Sequence, residues 1–228
     1  MEIEMRSGSL IVIPFDFDLE QLNGLLWDRE EEGHRLKSLI QFEHRFNVET
    51  GVQAIEALAI HQSIRDIPVL QEVAGRYRID YVESVRTEFS RIYTLPGLVV
   101  VDTLKNRGFV SDIINRGLRN NVSQTIYLDT ARMANDHRDQ WERRFTDRAG
   151  RVNKGALYGD GVEQDSIFGP ELDRSRTGSV GWHTNFFGSL YKVKVSPRGS
   201  VTLWSNPRMD TFLRFLRYEI IPYAVYLS

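Results

Sequence analysis

The sequence predicts an α+β fold: antiparallel sheet built from two hairpin-helix units, with packed helices and one long glycine-rich loop. Three observations carry this. Residues 189–220, SLYKVKVSPRGSVTLWSNPRMDTFLRFLRYEI, alternate apolar and polar side chains on either side of a Pro-Gly turn and then change to helical spacing. Residues 75–118 show the same order, with 102 residues between Gly97 and Gly199 and 103 between Phe109 and Phe212. Residues 151–182 hold six glycines and little apolar periodicity, as a long loop would.

Taken in order, the first strand is 9–18, where Leu10 and Val12 alternate and Phe15 and Phe17 resume after Pro14. Asp18, with Gln21 three residues on, caps a helix through Leu22, Leu25 and Leu26 that ends in the acidic run 28–33. Ile40, Phe42, His44, Phe46 and Val48 alternate as a strand while Leu36, Leu39, Ile40 and Phe46 would also serve a helix, and the strand is favoured. Thr50 opens a second helix that buries Ile55, Leu58 and Ala59 and is interrupted at Pro68. From Tyr77 to Tyr93 alternation returns, followed by the turn 94–97, a short buried strand 98–101 and a helix facing inward through Val110, Ile113 and Ile114.

A short strand at 121–129 points Ile126 and Leu128 inward, and 130–148 reads as a charged surface helix with a thin stripe of Ala134, Trp141 and Phe145. After the glycine-rich loop comes the last hairpin, with Tyr191, Val193 and Val195 on one face and Lys192 and Lys194 on the other. Val201 and Leu203 share the valine face, Thr202 and Trp204 the opposite one. The helix carrying Met209, Phe212, Leu213, Leu216 and Ile220 covers the valine face, and 221–227 packs back or adds a last strand. Domain organisation follows charge. An acidic α/β segment, 1–74, precedes a basic α+β part, 75–228, and the two can form one continuous domain.

The 228 residues include no cysteine, which excludes a disulfide framework, a thiolate zinc site and a cysteine nucleophile. The first residues are acidic where a signal peptide is basic, and nothing approaches the roughly 18 apolar residues of a membrane span, so a soluble cytoplasmic chain without a membrane partner is expected. The net charge of −2 conceals 14 acids against 6 bases in 1–74, a balance of −8 that leaves +6 for the remainder. Residues 174–217 carry eight Lys/Arg and one acid, Asp210. Segregated charge of this kind suits either a polyanion or the protein's own acidic half.

The uncovered hairpin face gives the candidate site. Lys192, Lys194 and Trp204, extended by Arg198 at the turn and by Arg208, Arg214 and Arg217 on the helix, could track phosphates while an aromatic ring stacks on a base. The reading is a non-catalytic nucleic-acid-binding module for DNA or RNA, single strands included. It would be a subunit or partner in a larger complex, with a protein partner or homo-oligomer and no cofactor. One alternative is a metal-dependent phosphodiesterase using Asp160, Glu163, Asp165 and His183, with Glu171, Asp173, Arg174 and Arg176 nearby. Another is a structural assembly protein without nucleic acid. No HxH, HExxH, P-loop or GxSxG spacing occurs.

Overall fold

Long runs of β-branched and aromatic residues, punctuated by two-residue turns, make strand the dominant state. In a computed structural model, residues 5–148 and 152–225 are described. Strand accounts for 54% and helix for 20%, which overturns the balanced α+β expectation. The strands are β1 (Met5–Val12), β2 (Leu25–Glu31), β3 (His34–Glu49), β4 (Val52–Val73), β5 (Arg76–Leu95), β6 (Leu98–Val101), β7 (Gln124–Thr125), β8 (Tyr127–Leu128), β9 (Gln140–Thr146), β10 (Gly155–Tyr158), β11 (Arg176–Phe186), β12 (Ser189–Val195), β13 (Ser200–Trp204) and β14 (Ala224–Val225). The helices are α1 (Arg107–Gly117), α2 (Thr130–Asp136), α3 (Gly169–Asp173) and α4 (Met209–Phe215), the last running into a π turn at Leu216–Ile220.

Twelve strands form one antiparallel sheet in the order β10-β9-β11-β12-β13-β1-β6-β5-β4-β3-β2, with β7 beside β1, and β14 pairs separately with β8. Two-residue turns at Glu32-Gly33, Ala74-Gly75 and Phe187-Gly188 have positive φ at both positions, the geometry that matches strand twist in a hairpin. α4 and α2 cover one face of the sheet over Val193, Val195, Val201 and Leu203. α1 covers the other over Ile11, Val99, Val101, Ile92, Ala57 and Ala59.

Both hairpin-helix units form where the alternation places them, at β5-β6-α1 and β12-β13-α4. The other expected helices largely do not. After Asp18 there is one 3-10 turn, Leu19–Leu22, and then β2, because Leu25 and Leu26 pair with Ile40 and Leu39. The segment from Thr50 is β4, since the small Ala57 and Ala59 fit between the strand and α1 and its partners β3 and β5 supply a complete ladder. The helix expected over 130–148 stops at Asp136; Asp139 takes a positive φ and β9 begins. The glycine-rich segment is only partly loop, for it contains β10, α3 and most of β11, while 151 itself lies outside the described residues. Of the two outcomes expected for 221–227, packing back or a last strand, Ala224 and Val225 form a strand beside β8, and 226 and 227 lie outside the described residues. No helix among the described residues is long and apolar enough to cross a membrane.

Two histidines act as packing groups. His61 stacks on Phe109 at 4.9 Å and pairs through Nδ1 with the Ser38 hydroxyl at 2.9 Å. His137 stacks on Trp182 at 4.3 Å and meets the Tyr223 hydroxyl. Burial holds both below the ordinary 6.5, with Arg29 adding to the effect at His61. The unfolded chain therefore binds protons first as pH falls through 6.5, so stability declines there and levels off below the folded-state values. Denaturant titrations across that interval should show this slope, and His61→Phe with His137→Phe should flatten it.

Candidate functional site

The expected interface residues occupy two opposite sides of the protein. Lys192, Lys194 and Trp204 lie on the sheet face away from α4, partly exposed. There Trp141 lies across Gly181, where a Cβ would come within 2.6 Å of its ring, and donates from Nε1 to the Val193 carbonyl at 3.0 Å. Lys192 Nζ sits 3.9 Å from the Trp141 ring centroid, and Trp204 meets that ring edge-on at 5.4 Å. Lys194 is paired at 2.7 Å with Glu142, which is 1% exposed and also holds Arg144. Arg208, Arg214 and Arg217 belong to the helix covering the other face. The first two flank Asp210, and Arg217 pairs with Glu49 at 2.8 Å. Arg198 is exposed at the β12-β13 turn. The seven residues do not form a continuous strip.

Two of the loop carboxylates, Asp165 and Glu163, serve the backbone. Asp165 accepts from the Ile167 and Phe168 amides, which hold it below the usual carboxylate range. Burial pulls Glu163 upward, but its own amide, the Gln164 side chain and the amides of Gln140 and Asp139 outweigh it and leave it lowered. His183 pairs with Asp139 at 3.3 Å, and Glu171 with Arg148 and Arg174. Among the described residues no three metal-ligating side chains are grouped.

A different feature stands out from the body. β3 pairs with β4 as far as Ser38 and His61, and β6 with β5 only over Ile92–Leu95. From Gln62 to Thr87 the outer parts of β4 and β5 pair, among the described residues, only with each other, through twelve unbroken cross-strand pairs ending at Val73 and Arg76. At about 3.3 Å per residue this two-stranded arm is roughly 40 Å long. Paired residues share a face, so Ile64 and Val85, Pro68 and Tyr81, and Leu70 and Ile79 stack along one side, with Tyr77 near the tip and Phe89 at the base. Leu70 is 69% exposed, Tyr77 71%, Ile79 66% and Tyr81 65%. Acids interrupt the stripe at the Asp66 and Glu83 pair, where His34 approaches Glu83 at 3.6 Å.

The other side of the arm is basic. Arg65, Arg76, Arg78 and Arg86 surround Ile67 and Val82. Glu88, at the base, collects Arg65, Arg86 and Lys105 at 3.3–3.8 Å, and Arg78 pairs with Asp80 at 3.1 Å. Half of this arm is legible in the sequence as the alternation of 77–89. The outgoing half is hidden because Ile55, Leu58 and Ala59 also satisfy helical spacing. Pro68 in mid-run, the β-branched Ile64, Ile67, Val69 and Val73, and the Ala74-Gly75 turn are the signals that favour a hairpin. Compared with protein-family models, curated proteins and solved structures, the chain matches none.

Proposed function

We propose that this protein is a non-catalytic assembly subunit that joins copies of itself through the arm formed by β4 and β5. The observation carrying this reading is the apolar stripe on the arm. A lone two-stranded ribbon is marginal in water and gains stability from a third strand or a packed surface. Aromatic side chains can bury about 150–250 Å² each, so seven or eight largely exposed apolar groups offer an area near the roughly 800 Å² that each partner gives to a standard interface. Free monomers seldom leave this much apolar side-chain area on one face in solvent.

Nucleic acid binding at Lys192, Lys194 and Trp204 has narrower support. Glu142 neutralises Lys194, and Arg208, Arg214 and Arg217 lie behind the sheet. The assembly reading is tested by light scattering on the full chain and on a variant in which residues 64–85 are replaced by Asn-Gly, closing the hairpin between the paired Ser63 and Arg86. The full chain should give a discrete oligomer and the shortened chain a folded monomer. A full chain that stays monomeric at every concentration, or a shortened chain that still assembles, would overturn the reading.

A further inference from the structure

The arm has two free edges, and only one is open to another strand. On β5, the Arg91 amide donates to the Asp102 carboxylate and the Arg91 carbonyl accepts from the Asp102 amide, while the Phe89 carbonyl accepts from Asn106 Nδ2 at 3.3 Å. The Tyr81 amide points away from β4 to its neighbour Asp80 Oδ1 at 2.9 Å. Odd-numbered residues of β5 thus address the side away from β4, and from Tyr77 to Thr87 no strand among the described residues lies on that side. The corresponding edge of β4 contains Pro68, opposite Tyr81, so it lacks a donor there. β5 is the open edge.

The sequence of β5 is complementary to itself in one register. An antiparallel strand related by a two-fold axis through Glu83 places Asp80 opposite Arg86, Arg78 opposite Glu88, Tyr81 opposite Val85 and Tyr77 opposite Phe89. An axis at Val82 would instead set Arg78 against Arg86, and one at Ser84 would set Asp80 against Glu88. Opposite charges facing each other stabilise a strand pair, and like charges weaken it. The axis at Glu83 also matches odd residues with odd ones, so the outward N–H and C=O groups of the two strands meet.

Resting on the assembly reading, we infer that the occupant of this edge is β5 of a second copy, paired antiparallel about a two-fold axis at Glu83. The result is a four-stranded sheet, β4-β5 followed by β5-β4 of the second copy. It has enough strands to be stable, and it merges the two apolar stripes into one surface. Each Asp80 exchanges its contact with the Tyr81 amide for Arg86 of the other copy, while that amide bonds across to Val85. The cost lies at the axis, where two Glu83 carboxylates oppose each other, each with His34 at hand.

Sedimentation equilibrium on the full chain and three charge variants tests the pairing. Arg86→Asp should weaken dimerisation by about tenfold or more, because two attractive pairs become repulsive. Asp80→Arg combined with Arg86→Asp should restore it, since the charges swap on both copies. Glu83→Gln should tighten the dimer. Arg86→Asp that dimerises as tightly as the unaltered chain, or a double swap no tighter than the single variant, would overturn the pairing. If those results occurred while arm shortening still abolished assembly, the arm would remain the joint and this register alone would fall.

Discussion

Phe212→Ala lowers the stability of the protein by about 3–5 kcal/mol, the range for deleting a buried aromatic ring. Phe212 enters the core from the first turns of α4 and is fully buried with Val201, Leu203 and Val193 beneath it. Gly8 on β1 allows this close approach, for a Cβ there would lie 3.2 Å from the Phe212 ring and 2.6 Å from Val100. Because the strand backbone on one side and α4 on the other are both fixed by packing, the site cannot collapse to fill the gap. Urea denaturation should show a lower midpoint with an unchanged slope. A loss below about 1 kcal/mol, typical of a surface change, would mean that α4 does not hold this face of the sheet.

Lys194→Met costs about 2–3 kcal/mol although methionine packs well against a sheet. Glu142 is almost wholly inaccessible, its Oε1 receives Lys194, Arg144 and Ser179, and its Oε2 has no hydrogen-bond partner among the described residues. Removing the ammonium leaves a buried carboxylate with one exposed guanidinium to neutralise it, and the penalty is the desolvation of that charge. Adding Glu142→Gln removes the charge and should recover much of the loss. Recovery in the double variant, measured in the same urea titrations, separates this cause from lost packing of the lysine stem. If the double variant is as unstable as the single one, the carboxylate is not the source.

Residues whose pattern has a single solution are legible in the sequence itself. Tyr191, Val193, Val195, Val201 and Leu203 alternate without ambiguity, Pro197-Arg198-Gly199 closes the turn, and Phe212, Leu213 and Leu216 return at helical spacing. All of these are buried or placed as expected. Ile55, Leu58 and Ala59 satisfy a helix and a strand alike, and the neighbouring strands β3 and β5 decide between them through pairing that no local window contains. Trp141 and Phe145 would form a stripe on a helix; in the fold Trp141 belongs to a strand and covers Gly181, a fit that depends on a residue forty positions away. The arm is obscured for the same reason, with the added difficulty that its exposed leucine, isoleucines and tyrosines look like core in a sequence. Charge is legible in amount and not in use: Lys194 and Arg217 are spent on Glu142 and Glu49.

Amide hydrogen exchange over residues 76–89, followed at low and at high protein concentration, tests the arm most directly. In an isolated arm the outward amides of Ile79, Glu83, Val85 and Thr87 exchange rapidly, and assembly through the arm should slow them as concentration rises. Exchange that stays equally rapid at every concentration would contradict the claim that this arm joins one copy to the next.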